Sequence, residues 1–217
     1  MVSEKLRIYN FISNTLIVAL VLAAIVSVFF GSSGILQASH WEAFKYFTVD
    51  SNVLVGITSL LSLIYLWKKD GKYPLWLVIC KMAATISVGI TFATVMLYLG
   101  PIYGYHMMFE NYNLFMHLII PVIALITFLL LEPKSELKFK YNFFTLIPVS
   151  IYGLFYLINL AVTNDYGNVY GNDWYAFGTF GIGIGLVCLV VIILLGFLIS
   201  ISLYFGHKKI RFKSLHE

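Results

Sequence analysis

The chain has 217 residues, 60% of them hydrophobic and only 11% charged, with a mean hydropathy of +0.90. Soluble domains run at roughly 45–50% apolar and 25% charged, so this composition excludes a water-soluble domain and predicts an integral membrane protein. The net charge of +4 comes from residues flanking apolar stretches, which makes it a topology signal and not a nucleic-acid surface.

In chain order, hydrophobic stretches fall at about 8–30, 46–67, 73–100, 113–132, 142–163 and 175–205. Each is near or above the ~20 residues that a helix needs to cross the hydrocarbon. None alternates with a period of two, which excludes a β-barrel. The expectation is an all-α, polytopic six-helix bundle forming a single domain over 1–217. The first stretch is too long for a signal-peptide core and has no A-x-A site after it, so it stays as an anchor.

Basic residues cluster in alternate connections. Lys5 and Arg7 precede the first stretch, and Lys68, Lys69 and Lys72 follow the second. Lys134, Lys138 and Lys140 follow the fourth, and Lys208, Lys209, Arg211 and Lys213 form the tail. Twelve of the 14 Lys and Arg lie on this side; Lys45 and Lys81 are the others. Cations stay cytoplasmic, so both termini are expected inside. The opposite loops read "GSSGILQASHWEAFK", "GPIYGYHMMFENYN" and "TNDYGNVYGNDW". Their aromatic residues suit the headgroup level, or a polar lid over an outward-facing pocket. His40 and His106 are expected to be solvated in these loops, and His207 and His216 in the tail. Cys80 and Cys188 lie in apolar runs and read as small core residues. No His/Cys cluster has metal spacing and no Gly-rich phosphate loop is present, so neither metal nor cofactor is expected.

Polar residues inside the stretches carry the functional signal, because polar atoms in hydrocarbon need partners. The second stretch opens with "KYFTVDSNVL". Residues three and four apart share a helix face, so Thr48, Asn52, Val55, Ser59 and Ser62 form one protein-facing stripe. Asn113, His117, Pro121 and Ala124 form a second, and Tyr152, Tyr156, Asn159 and Thr163 a third. Gly181 and Gly185 in "GTFGIGIG" are spaced for close helix contact. At 1.5 Å per residue, Thr48 and His117 lie roughly 3 Å and 6 Å below the outer edge, with Asn159 at similar depth. An imidazole can deprotonate a hydroxyl to make a nucleophile toward an ester, which casts Thr48 as nucleophile and His117 as base. A third group usually orients the imidazole. Asp50 is one choice, although it points about 160° from Thr48 around the helix; Asp165 and Asp173 are others. Asn52, Asn113 and Asn159 are candidate oxyanion donors. Lys81 either snorkels toward the cytoplasmic headgroups or faces inward as a cation near Thr85. Pro121 removes a backbone bond and should bend the fourth helix.

The segments "FKYFTVDSNVL" and "NLFMHLIIP" resemble the androgen-induced-gene-type membrane hydrolases, a family that includes the androgen-dependent TFPI-regulating protein. The likeness is greatest to its bacterial predicted six-pass members. The resemblance implies six spans and hydrolysis of a lipid ester, such as a fatty acid ester of a hydroxy fatty acid. It puts the catalytic threonine at Thr48 and the catalytic histidine at His117, and it implies a bacterial plasma membrane location with a membrane lipid as substrate. A different class also fits six short-looped spans: the small-molecule-binding subunit of an energy-coupling-factor transporter, whose A-x-x-x-A docking pattern matches Ala19 to Ala23 in "ALVLA".

Overall fold

The computed structural model describes residues 4–30, 40–68, 73–132 and 136–214, with side chains to Ile210. Lys69, Lys72, Lys134, His216, the loop residues 31–39 and the side chains of Arg211 and Lys213 lie outside these. Among the described residues all regular structure is helical, and six helices are long and apolar enough to cross a membrane. They are α1 (Glu4–Phe30), α2 (Phe47–Trp67), α3 (Leu75–Tyr103), α4 (Tyr112–Leu131), α5 (Tyr141–Thr163) and α6 (Ile182–Ile210). The chain is a multi-pass integral membrane protein of all-α class.

Alternate short connections put one basic end opposite one aromatic end. At the basic end Arg7 donates through Nη2 to the Leu66 carbonyl at 2.7 Å, tying the start of α1 to the close of α2. Asn10 Nδ2 donates to the Leu131 carbonyl at 2.9 Å, tying α1 to α4. The aromatic end holds a short 3-10 turn (His40–Lys45) before α2, a helical turn (Tyr105–Met108) before α4, and the loop 164–181.

The helix at the centre is α3, with 72% of its most apolar window buried; α6, at 11%, presents most of its surface outward. Two packed clusters flank α3. Ile17, Val21, Val55, Ala84, Val88, Ile120 and Ala124 join α1 to α4. Ile86, Ile90, Val149, Tyr156, Leu157 and Leu203 join α3 to α5 and α6. Water does not drive helices together in lipid, so close packing and hydrogen bonds must hold such a bundle. Gly56 illustrates the packing: a Cβ there would lie 3.0 Å from Val21 Cγ1.

Sequence expectation and structure part at four places. The sixth span begins at Ile182, not near 175, because 164–181 folds as turns around the buried Asp173 carboxylate. That carboxylate accepts from the Gly167 and Gly178 backbone N–H groups and from the Tyr156 hydroxyl. Gly181 makes no helix contact; its φ of +95° turns the chain into α6, a conformation glycine adopts freely. Gly185 does sit close against Leu157 of α5. His207 is buried, not solvated, and packs on the Phe128 ring at 5.7 Å. Cys80 is exposed on the outer face of α3 and is not a core residue.

Lys81 takes the inward of its two expected positions. It does not snorkel: its ammonium is buried among α1, α2 and α4. It donates to Asn14 Oδ1 and, at 3.2 Å, to Ser59 Oγ, and it pairs with Glu132 at 3.1 Å. Thr85, the expected neighbour, forms no bond to it. The stem is held inside because a carboxylate and two polar side chains meet the charge there, which satisfies a buried ammonium better than a partial reach to the surface.

Candidate functional site

Thr48 and His117 line one cavity beneath the loops of the aromatic end. Thr48 is half-buried on the first turn of α2, and His117 is buried in α4. The two are not hydrogen-bonded to each other; they face the same space. His117 Nδ1 lies 2.6 Å from the Met108 carbonyl. A carbonyl only accepts, so Nδ1 carries the proton and Nε2 keeps its lone pair, free of protein partners. The group that orients the imidazole is therefore a backbone carbonyl and none of the three carboxylates considered. Asp50 lines a separate groove with Pro148 and Phe155. Asp173 organises its own loop. Asp165 accepts from the Asn172 N–H at 2.8 Å, and also from the Asn168 and Asn172 amides. The Asn172 N–H and then the Asn168 amide hold the Asp165 carboxyl below the usual carboxylate range.

The backbone around His117 is not regular α-helix. Residues Phe115–Ile119 form a π-helical turn in which the Ile120 N–H donates to the Phe115 carbonyl. The next bond in that register would run from residue 121 to the Met116 carbonyl, but residue 121 is Pro and has no N–H. Asn52 fills the gap: its Nδ2 donates to the Met116 carbonyl at 3.1 Å and to the Thr48 carbonyl at 2.7 Å. Pro121 thus leaves a carbonyl for a neighbouring helix to satisfy, and the residue that satisfies it ties Thr48 to the residue before His117. The Asn52 amide is not available as an oxyanion donor. Asn52→Ala should lower unfolding stability in detergent micelles by about 1–3 kcal/mol, because it leaves the Met116 carbonyl buried without a donor. An unchanged unfolding midpoint would remove Asn52 from this role.

Asn113, one turn before His117, lines the cavity and its side-chain amide forms no hydrogen bond with the described residues. It is an open donor of the site, as are the Tyr46 and Tyr103 hydroxyls. Asn159 is elsewhere, donating to Asn172 Oδ1 at 3.2 Å, and Lys81 lies toward the basic end, about ten residues or ~15 Å along α3 from Thr91, which lines a second, adjoining cavity. Ala19 and Ala23 lie exposed on the outer face of α1.

Several lining groups are not evident from sequence. Tyr175 Oη accepts the Phe47 N–H at 2.8 Å, capping the start of α2 from the loop 164–181. Burial pushes the Tyr175 phenol up. Trp174 Nε1 donates to Tyr152 Oη at 3.0 Å, and Tyr152 donates to the Lys45 carbonyl. The aromatic density of "WYAF" was a signal, but belt and lid predict it equally well. In the structure Val169, Trp174 and Tyr175 form part of the cavity wall, so this loop closes over the site.

The second cavity adjoins the first and is lined mainly by apolar side chains from α3, α5 and α6. Thr48, Leu99 and Tyr175 line both. Among the described residues no group of three or more His, Cys, Asp or Glu could hold a metal ion. The chain matches no protein-family model, and no curated protein or solved structure is detectably similar to it.

Proposed function

We propose that the protein is an intramembrane threonine hydrolase that cleaves a lipid ester near the outer leaflet, with both termini cytoplasmic. One observation carries this reading: Thr48 and His117 line a single cavity, and the imidazole is held in the tautomer that leaves Nε2 as a base. The resemblance of "KYFTV" and "FMHLIIP" to the androgen-induced-gene-type hydrolases adds to it, and carries with it a bacterial plasma membrane location.

The steps balance with these groups alone. Thr48 Oγ attacks the ester carbonyl as its proton passes to His117 Nε2, and the Asn113 amide donates to the developing oxyanion. His117 returns the proton to the departing alkoxide, which leaves as the alcohol. Water then attacks the acyl-threonine, again through His117, and releases the acid. The position at the start of α2 helps, because a helix N-terminus favours developing negative charge.

A fluorophosphonate probe tests the assignment. It should label the protein, peptide mapping should find the adduct on Thr48, and Thr48→Ala should abolish it. Labelling that persists unchanged in Thr48→Ala, in protein shown to be folded, would sink the proposal.

A further inference from the structure

The two adjoining cavities differ in chemistry, and Thr48 stands at their junction. His117 lines only the first. The first also holds Tyr46, Tyr103 and Asn113, whose side-chain hydroxyls and amide form no hydrogen bond with the described residues. The second is walled by Ile90, Val95, Val149, Leu189 and Ile192. Most of its hydroxyls are already engaged: Thr91 with Ser51 Oγ at 3.0 Å, Tyr152 with the Lys45 carbonyl, Tyr156 with Asp173 and Tyr175 with the Phe47 N–H.

Resting on the hydrolase reading above, the positions of the two groups fix the direction of the substrate. The base that takes the Thr48 proton must return it to the leaving oxygen, so the alcohol part lies on the His117 side. The acyl carbon is then bonded to Thr48, and its chain must run the other way. We propose that the apolar chamber takes the acyl chain and the aromatic chamber takes a polar, hydroxyl-bearing alcohol. The substrate class is thus an acyl ester of a polyol. The apolar chamber has a finite depth: its lining runs from Leu99 to Ile90 on α3 and from Gly185 to Ile192 on α6. At 1.5 Å per residue these spans are ~13 Å and ~10 Å, which fits an acyl chain of about eight to ten carbons.

The test uses the full-length protein in nanodiscs with two substrate series. In the first, p-nitrophenyl esters vary in acyl length; kcat/KM should peak near ten carbons and fall at least ~10-fold for chains several methylenes longer, in keeping with how apolar pockets discriminate. Ile192→Trp fills the deep end and should move the optimum to shorter chains, and Ile192→Ala should move it to longer ones. In the second series the best acyl group is carried on glycerol or on a long alkyl alcohol. The glycerol ester should be preferred, and Tyr103→Phe should lower that preference about 3- to 10-fold by deleting one hydrogen bond, with the acyl optimum unmoved. An optimum that ignores both Ile192 variants, or one that shifts with Tyr103→Phe instead, overturns the assignment while leaving the hydrolase reading intact. No hydrolysis of any ester by the wild-type protein overturns both.

Discussion

Thr48→Ala should reduce ester turnover by at least about 10³-fold, and adding His117→Ala to it should cost almost nothing more. A nucleophile and its base act as one unit, so losses from removing either are far from additive. His117→Ala alone should cost about 10²- to 10⁴-fold, the usual worth of a positioned general base. Thr48→Ser keeps the hydroxyl on the same helical turn and should retain measurable turnover, whereas Thr48→Val, equal in shape, should not. The measurement is single-turnover acylation by the purified protein, with a folded-state check by circular dichroism for each variant. Independent, multiplicative losses in the double variant would show that the two side chains do not act together, and the shared cavity would then need another explanation. Asn113→Ala offers an internal control: it should slow acylation without removing it, because the nucleophile and base at Thr48 and His117 remain in place.

How much of this was legible beforehand depends on the kind of group. The stripe Thr48, Asn52, Ser59 and Ser62 was readable because small polar residues at helical spacing stand out in an apolar segment; all but the half-buried Thr48 are fully buried. His117 and Asn113, four apart, were readable for the same reason. The direction of Asp50 was also implicit, since two residues from Thr48 puts it on the far side of α2. The orienting group was not readable, because it is the Met108 carbonyl and every residue has one. Nor was the use of Asn52: linking it to Pro121 requires knowing that α4 passes through a π-turn there and that α2 lies beside it. Tyr175 and Trp174 sit in a loop whose course is set by the buried Asp173, which the sequence offers only as a candidate orienter of the imidazole and not as the centre of its own loop. The six helices needed only length and hydropathy, which accumulate over twenty residues. The site needed single contacts between distant segments, which no local pattern encodes.

The same distinction separates Lys81 from the partner it needs. Lys81 was conspicuous in an apolar span, but Glu132 closes α4 some fifty residues later and gives no sign of facing inward. Together they form a buried pair at 3.1 Å, with Asn14 and Ser59 completing the shell of the ammonium. Removing one member leaves an uncompensated buried charge, so Lys81→Met should destabilise the fold by about 3–5 kcal/mol. Lys81→Met with Glu132→Leu removes both charges and should recover most of that loss, because well-packed apolar side chains can replace such a pair at little net cost. Between this pair and the cavity stand Val55, Ala84, Val88 and Ile120, an apolar layer. The pair should therefore act on stability alone: kcat/KM of the folded fraction should stay within about 2-fold of wild type in both variants, as expected for sites with no shared contacts. Reversible unfolding in mixed micelles reads the first quantity and ester turnover the second. Were Lys81→Met as stable as the wild type, the ammonium could not be enclosed between α1, α2 and α4; were turnover to fall with stability preserved, the apolar layer would not insulate the two sites.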